Sequence, residues 1–316
     1  MPAPSAPVNT FSGTCSSFSS HWQEFCIICI TDMRMREPEI SVIMSVYNTP
    51  PAFLEASISS ILSQSFEDFE FIVVDDASSD DDVKRVLDVY AVKDARLKVL
   101  TNRENLGLTR SLNRALQIAR GRYVARQDSD DVSLPDRLEK QVLFMRHRPD
   151  IVLLGTRGYI IDEDDRIIGR WEPALVPSLI RKKLLRGNQF LHTSVMFRRK
   201  TVLELGGYDE SFRYSQDYDL WIRLLRRHNA ANLPDYLVKH RINRESVAFK
   251  RERQQEMNLL RIWIKNVRRG NMPPETAVYF SRILVRYLVP MEARTFLRRT
   301  LFRGRSYRAL LLETDR

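Results

Sequence analysis

Two clusters of aspartates follow apolar stretches of the sequence, at positions where carboxylates could bind a cation or accept hydrogen bonds from a ligand. Asp75–Asp76 comes directly after Phe69–Val74, and Asp128–Asp130 comes two residues after Arg122–Arg126. The second cluster contains a D-x-D pair, and two hard oxygen ligands one residue apart suit Mg²⁺ or Mn²⁺. A carboxylate after an early strand can accept from ribose hydroxyls or a base N–H. Taken alone, each cluster also fits an ordinary Asp–Ser turn.

Other cofactor motifs are absent from the sequence. It contains neither G-x-G-x-x-G nor G-x-x-x-x-G-K-[ST], which argues against a dinucleotide dehydrogenase and a P-loop enzyme. It also lacks the G-x-S-x-G nucleophile elbow of the hydrolases. The carboxylate clusters are therefore the main chemical signal in the first half of the chain.

The elements around these clusters alternate between apolar strands and amphipathic helices. Ile40–Tyr47 is a nearly continuous apolar run, which is typical of a strand buried on both faces. Further strands are predicted at Phe69–Val74, Leu97–Thr101 and Arg122–Arg126, with helices at Pro51–Gln64, Val83–Val92, Leu108–Arg120 (closed by Gly121) and Pro135–His147. This alternation predicts an α/β fold, with a doubly wound, mostly parallel sheet flanked by helices. Ligands of such sheets bind beyond the carboxyl ends of the strands, where both aspartate clusters are expected.

The second half of the sequence has a mixed pattern. Strands are predicted at Ile151–Leu154, Ile160–Ile161, Ile167–Trp171 and Ser194–Phe197, and helices at Pro177–Leu185 and Asp217–Arg227. From about Lys250 the pattern is helical to the end of the chain.

The net charge of +10 lies in the C-terminal quarter. Arg241–Arg316 contains 18 Lys and Arg against 7 Asp and Glu, whereas the preceding residues contain 32 against 33. A solvated helical face, an anionic membrane surface and a nucleic acid are three interpretations of such a block. Residues 273–305 interleave arginines with aromatic side chains, which suits peripheral contact with an anionic membrane. No recognised nucleic-acid-reading motif accompanies them, so we expect no nucleic acid partner.

The cysteines and the hydropathy indicate an intracellular protein. Cys15, Cys26 and Cys29 are the only cysteines, and an odd number before residue 30 argues against a disulfide framework. No stretch reaches the roughly 18 apolar residues of a membrane-spanning helix. We therefore expect a cytoplasmic location, with peripheral contact at the inner face of the membrane. The Ser- and Pro-rich residues 1–37 are expected to be disordered.

Five segments in a fixed order resemble a known family. They are Ser41–Asn48, Ser57–Asp80, Asn105–Leu116, Gly121–Gln141 and Gly206–Leu224. Together they resemble glycosyltransferase family 2, which comprises inverting, nucleotide-sugar-dependent enzymes of the GT-A type fold. The resemblance covers roughly residues 38–245. It implies a nucleotide-binding half at 38–131, an acceptor half at 132–245, and a basic helical C-terminal extension at 246–316.

The resemblance also implies roles for individual residues. The implied nucleotide-binding residues are Ser45, Tyr47, Asp75, Asp76, Arg110, Asp128 and Ser129. Asp130 is the implied principal ligand of Mn²⁺ or Mg²⁺, with Asp128 as the second half of the D-x-D. Asp217, in the segment QDYDLW, is the implied catalytic base. Two positions depart from the family pattern, because Gln216 replaces the commoner Glu and Asn243 replaces the His of an Arg-x-His motif.

His192 and Trp221 are candidate acceptor residues. His192 opens a predicted strand, in a region where the family has polar residues near the acceptor; a structural histidine is the equal alternative. Trp221 lies on the inward face of the Asp217 helix, which favours a core position over a sugar-stacking platform.

The chemistry of an inverting transfer agrees with these residues. A single in-line displacement needs one general base and stabilisation of the departing diphosphate, but no enzyme nucleophile. We therefore expect an enzyme that moves a sugar from a UDP-, GDP- or dTDP-sugar to a glycan or lipid-linked acceptor in cell-envelope polysaccharide biosynthesis. Two alternatives stay open: a catalytically inactive nucleotide-sugar-binding module, and a protein that binds membrane or nucleic acid through its basic tail.

Overall fold

The computed structural model describes residues 37–185, 187–242 and 252–272, together with Thr276 and Ser281. The chain divides into two units, Met1–Glu37 and Pro38–Arg316, and the fold described below belongs to the second. The three cysteines lie outside the described residues. So do the predicted disordered segment as far as residue 36 and, apart from Thr276 and Ser281, the predicted membrane-contacting stretch 273–305.

Strands and helices alternate through the described residues. The strands are β1 Ile40–Val46, β2 Phe69–Asp75, β3 Leu97–Thr101, β4 Tyr123–Arg126, β5 Val132–Ser133, β6 Ile151–Ile161, β7 Ile167–Trp171, β8 Met196–Arg198 and β9 Asn229–Arg241. The helices are α1 Pro51–Leu62, α2 Asp81–Lys93, α3 Leu108–Ile118, α4 Arg137–His147, α5 Pro177–Leu184, α6 Arg199–Glu204, α7 Gln216–Leu225 and α8 Glu252–Arg268. A 3₁₀ turn, His192–Ser194, precedes β8.

The described strands form one sheet. Its order is β3-β2-β1-β4-β8-β6-β9-β5, and β7 pairs with Gly158–Ile161 of β6, beyond the residues that pair with β8. The first four strands in this order are parallel, as predicted from the alternation of strands and helices. Helices α1, α2 and α4 pack on one face of the sheet, and α3, α5, α7 and α8 pack on the other. This arrangement confirms the predicted doubly wound α/β fold.

The second half of the sheet differs from the predicted strands. β6 is one strand of 11 residues where two short ones are predicted, and β9, which is not predicted, lies parallel to it. The sequence of β9 contains Pro234 and Asp235, and its pairing with β6 shifts register more than once, so neither periodicity nor composition marks it as a strand. His192 lies in the 3₁₀ turn, so the prediction that it opens a strand is wrong.

Gly121 does not end a helix as predicted, but lies where the chain passes close to β1. α3 ends at Ile118, and Gly121 instead lies against β1. A Cβ at Gly121 would sit 2.6 Å from the Ile40 carbonyl carbon and still nearer to the Ser41 backbone nitrogen. The position therefore requires glycine because the chain enters β4 in close contact with the neighbouring strand.

α8 confirms that the sequence after Lys250 begins as a helix. It packs on the same core as α7, with Ile262 fully buried. None of the helices that the structure describes is long and apolar enough to cross a membrane.

Candidate active site

A cleft of about 580 Å³ lies beyond the carboxyl ends of β1, β2 and β4. Eight of the residues that the resemblance implicates line it: Ser45, Tyr47, Asp76, Asp128, Ser129, Asp130, His192 and Asp217. Because parallel strands end at the same edge of a sheet, the residues that follow β1, β2 and β4 meet there. Asp217 reaches the same cleft from the start of α7. Asp75, Arg110 and Trp221 do not line it.

Asp76 binds the chain segment that forms one wall of the cleft. Its Oδ1 accepts from Asn102 Nδ2 at 2.6 Å and from the Leu106 backbone N–H at 2.8 Å. Its Oδ2 accepts from the backbone N–H of Gly107 at 2.8 Å. Gly107 precedes α3 with a φ of +87°, a conformation that glycine adopts readily. The Asp76 carboxylate therefore orders the turn into α3, and only 2% of the residue is exposed.

Asp75 and Arg110 lie outside the cleft. Asp75 is buried, and its Oδ1 accepts from the Ser78 backbone N–H at 3.0 Å. Arg110 is half-exposed and forms an ion pair with Glu210 at 3.4 Å. It lines a smaller adjoining cavity of about 190 Å³, and Arg213 lines both spaces.

A buried arginine supports the first aspartate of the D-x-D. Arg126, the last residue of β4, is fully buried, and its Nη1 lies 2.5 Å from Asp128 Oδ1. Burial by itself raises the pKa of Asp128, but the neighbouring cationic groups, of which Arg126 contributes most, together outweigh burial and lower the pKa. The Asp128 backbone N–H donates to Thr193 Oγ1 at 3.1 Å, and Ser57 Oγ donates to the Asp128 carbonyl at 2.7 Å. Asp128 is therefore a fixed anion with its own counter-ion.

The Asp130 carboxylate lies near two other carboxylates and, unlike that of Asp128, forms no ion pair with an arginine among the described residues. Burial, followed by the charges of Asp131 and Asp128, raises the pKa of Asp130 to about 7. Asp131 is fully buried and accepts from His240 Nδ1 at 3.0 Å and from the Arg241 backbone N–H at 2.7 Å. Burial lowers the pKa of His240, but the neighbouring Asp131 outweighs it and raises the pKa to about 9. Asp130 is thus the carboxylate of this cluster that lacks a matched cation among the described side chains.

The donor set fits a divalent cation that completes its coordination with substrate. Within the described residues, no group of three or more His, Cys, Asp or Glu side chains could hold a metal ion alone. Asp130 and Asp128 offer two carboxylates, and Mg²⁺ is commonly bound by one or two carboxylates together with phosphate oxygens and waters. A cation there would also relieve the repulsion that raises the pKa of Asp130.

Asp217 lies in the first turn of α7. Burial raises its pKa, while backbone N–H groups and Asn188 favour the carboxylate. Asn188 Nδ2 donates to Asp217 Oδ2 at 2.7 Å. The helix begins after Ser215, whose φ of +60° is unusual for a residue other than glycine and whose side chain does not cap the helix. The base candidate therefore sits at a helix N-terminus, where the helix dipole favours its charged form.

His192 lines the cleft and Trp221 lies in the core behind it. His192 Nε2 hydrogen-bonds with the Tyr208 hydroxyl at 2.9 Å, and burial, followed by the charge of Arg126, lowers the pKa of His192 well below its usual range. Trp221 is fully buried, and its ring meets those of Phe190 and His192 edge-on. Trp221 is therefore a core residue, as its position on the inward face of the helix favours.

Comparison with known proteins places the chain in one family. Residues 41–206, more than half of the chain, match the sequence model of Glycosyl transferase family 2. This chain belongs to glycosyl transferase family 2.

Relatives of this family 2 protein include enzymes from archaea and bacteria. An uncharacterized glycosyltransferase of Methanocaldococcus jannaschii is 38% identical over 215 residues, which are 67% of this chain and 74% of the relative. The O-antigen biosynthesis glycosyltransferase WbnJ of Escherichia coli is 36% identical over 212 residues, covering 66% of this chain and 81% of the relative.

Solved structures share the fold of this family 2 protein. TarS residues 1–349 of S. aureus, in complex with UDP-GlcNAc, superposes with a TM-score of 0.60 and 21% identity, covering 79% of this chain and 71% of that one. The mannosyltransferase PcManGT of Pyrobaculum calidifontis, in complex with GDP-Man and Mn²⁺, gives a TM-score of 0.59 and 19% identity, covering 93% and 88%. These likenesses confirm the GT-A type fold.

Several residues that support this family 2 site are not predicted from the sequence. Arg126 could have been recognised from the sequence, because a charged residue at the end of a short apolar strand, two residues before the D-x-D, needs a partner if it is buried. Asn188 could not have been recognised from the sequence, since it lies in a loop with no periodicity. His240 stands in β9, which the sequence patterns do not reveal.

Proposed function

We propose that this family 2 enzyme is an inverting glycosyltransferase, which moves a sugar from a nucleotide-diphosphate sugar to a hydroxyl of a glycan or lipid-linked acceptor. The observation that carries the proposal is that one cleft receives the D-x-D carboxylates from the end of β4 and Asp217 from the start of α7. A cation-binding pair and a separate carboxylate are the two parts that a single displacement requires.

Asp217 is the proposed general base. It would take the proton of the acceptor hydroxyl as the oxygen attacks the anomeric carbon from the side opposite the diphosphate. A positioned base of this kind contributes about 10²–10⁴-fold to a rate. Burial raises the pKa of Asp217, which makes it a stronger base than an exposed aspartate, while Asn188 keeps the carboxylate oriented.

The donor side of the cleft is assigned to the nucleotide. Ser45 and Tyr47 lie at the end of β1, and Asp76 holds the wall made by Leu106 and Gly107. Asp130, with Asp128, would hold Mn²⁺ or Mg²⁺. A bound divalent cation supplies Lewis-acid stabilisation of the departing diphosphate.

The acceptor class is proposed from the relatives. WbnJ is named for O-antigen biosynthesis, which supports a role in cell-envelope polysaccharide assembly. The TarS and PcManGT complexes hold UDP-GlcNAc and GDP-Man, so both UDP- and GDP-sugars are candidate donors, with dTDP-sugars as the third. His192, on the cleft wall beside the Tyr208 hydroxyl, is the candidate acceptor contact. A cytoplasmic location and membrane contact through 273–305 stay predictions.

A thermal-shift panel with UDP, GDP, dTDP and CMP, each with and without Mn²⁺, tests the donor side. A ligand at 100 times its Kd stabilises the folded state by about 2.7 kcal/mol, which such an assay resolves. We expect a Mn²⁺-dependent shift with one diphosphate, followed by release of that diphosphate from the matching donor sugar. Binding without turnover, unchanged in Asp217→Asn, would instead identify a nucleotide-sugar-binding module.

A further inference from the structure

α8 lies outside the segment that defines the family, yet it reaches the helix that carries the proposed base. The family match ends at residue 206, and α8 begins at Glu252. Ile262 is fully buried in the core that α7 also lines, and Leu259, Trp263 and Val267 pack against that core. This apolar packing holds α8 against the core that α7 lines.

Polar contacts from α8 converge on Asp219, two residues after the base. Asp219 is fully buried and accepts from Lys265 Nζ at 2.8 Å and from Asn266 Nδ2 at 3.1 Å. Arg223, one turn further along α7, donates to the same carboxylate at 2.7 Å. A buried carboxylate is costly unless it is paired and hydrogen-bonded. Asp219 therefore has to keep its three donors, which fixes where α8 lies relative to α7 at this point.

The geometry of a helix links Asp219 to Asp217. Successive residues rotate by about 100°, so side chains two residues apart point to nearly opposite sides. Asp217 lines the cleft, and Asp219 faces α8 on the other side of the same turn. A clamp on Asp219 therefore sets the rotation of the turn that presents Asp217.

The start of α7 needs such support because it has no cap of its own. Ser215 adopts a left-handed conformation and its side chain does not cap the helix. The carbonyl of Tyr214, the residue before it, accepts from Asn258 Nδ2 of α8 at 3.3 Å. α8 thus contacts the chain on both sides of Asp217, at Tyr214 and at Asp219.

We propose that α8 is a positioning element for the general base: Lys265 and Asn266, acting through Asp219, hold the first turn of α7 so that the Asp217 carboxylate faces the acceptor side of the cleft. This inference rests on the proposed role of Asp217. According to this inference, α8 of the C-terminal extension helps to position the proposed base, in addition to the proposed nucleotide and metal sites that lie within the matched residues 41–206.

Lys265→Met tests the clamp in the full-length protein, because it removes the charge and keeps the apolar stem. Lys265 also forms an ion pair with Asp209, and Asp209→Asn, which removes only that second pair, separates the two contacts. Arg261→Met is the matched control, since Arg261 lies exposed on the same helix. We expect turnover of the donor sugar identified by the nucleotide panel, measured with water as acceptor, to fall about tenfold or more in Lys265→Met. The Kd for the matching nucleoside diphosphate with Mn²⁺ should stay within twofold, and Lys265→Arg should restore most of the turnover.

Hydrogen–deuterium exchange gives a readout that does not depend on activity. The peptide that covers Tyr214–Asp219 should exchange several-fold faster in Lys265→Met than in the wild type and in Arg261→Met. Unchanged exchange there, or turnover that falls only in proportion to a lost folded fraction, would overturn the clamp. Failure of the proposed function looks different, because the wild type would then show no turnover, or Asp217→Asn would retain it, while the exchange result stood unaffected.

Discussion

Asn188 Nδ2 lies 2.7 Å from Asp217 Oδ2, and this hydrogen bond joins the loop after α5 to the first turn of α7. The same amide is held at its other end, because Asn188 Oδ1 accepts from the Phe190 backbone N–H at 3.2 Å. The Asp217 carboxylate, the proposed base, is therefore oriented by a side chain that is itself held in place. Replacement of Asn188 should therefore change the pH dependence of the reaction more than it changes the affinity for substrate.

We expect Asn188→Ala to move the acidic limb of the pH–rate profile to higher pH. The amide favours the carboxylate of Asp217, so its loss adds to the effect of burial and raises the pKa of Asp217 further. A hydrogen bond to a charged group is worth about 1.5–3 kcal/mol, which corresponds to a shift of about one pH unit or more. A kcat profile from pH 4 to 9 measures it; an unchanged limb would show that Asp217 is not the titrating base.

Asp217→Asn should reduce turnover by about 10²-fold or more and leave nucleotide binding unchanged. It should also stabilise the free protein. A carboxyl whose folded pKa is raised above its unfolded value destabilises the fold at pH values above the unfolded pKa, and this penalty disappears in acid. The gain in Tm should therefore be larger at pH 8 than at pH 4, which calorimetry at the two pH values checks. A loss of Tm at pH 8 would contradict this account.

Arg126→Met should destabilise the protein by about 1–3 kcal/mol, because it removes the counter-ion of Asp128, whose side chain is 30% exposed. The lowered pKa of Asp128 contributes stability above the unfolded pKa that is lost as the pH falls through the folded pKa. The difference between variant and wild type should therefore shrink in acid. Urea unfolding at pH 7 and pH 3.5 measures it, and Arg166→Met, which breaks the exposed pair with Asp164, is the control.

Asp130→Asn should abolish the Mn²⁺-dependent part of the thermal shift with nucleoside diphosphate. The substitution keeps the size of the side chain and removes the negative charge that a divalent cation requires. Asp164→Asn, in the exposed turn between β6 and β7, removes the same charge away from the cleft. Retention of the full Mn²⁺ dependence in Asp130→Asn would assign the cation to other ligands.

Gly121→Ala should lower the free energy of unfolding by about 1–3 kcal/mol, since its Cβ would press on the backbone of β1 at Ile40 and Ser41. Gly169→Ala is the matched control. Its Cβ would lie 3.5 Å from that of Ile160, an ordinary van der Waals contact. Urea unfolding of both variants checks the difference; equal stabilities would show that β1 and the entry to β4 can separate at little cost.

The parallel half of the sheet and its ligand edge were predictable from local patterns. Strand β1 is a nearly continuous apolar run, and the aspartates that follow β2 and β4 stand at one edge because parallel strands share a direction. The same reasoning failed for β9, where Pro234 and repeated register shifts hide the strand. β9 is specified by its long pairing with β6, a contact between distant parts of the sequence that has no local signature.

The amino-acid sequence by itself determined the fold class, the carboxylate clusters and the family resemblance, because these depend on spacing along the chain. Only the tertiary structure decided how the carboxylates differ. Asp76 is bound by backbone N–H groups, Asp128 by buried Arg126, and Asp130 by no matched cation among the described side chains. It also decided that Asn188 contacts Asp217 and that α8 contacts Asp219. The physical reason is that charge and burial depend on neighbours in space, and those neighbours come from segments far apart in the sequence.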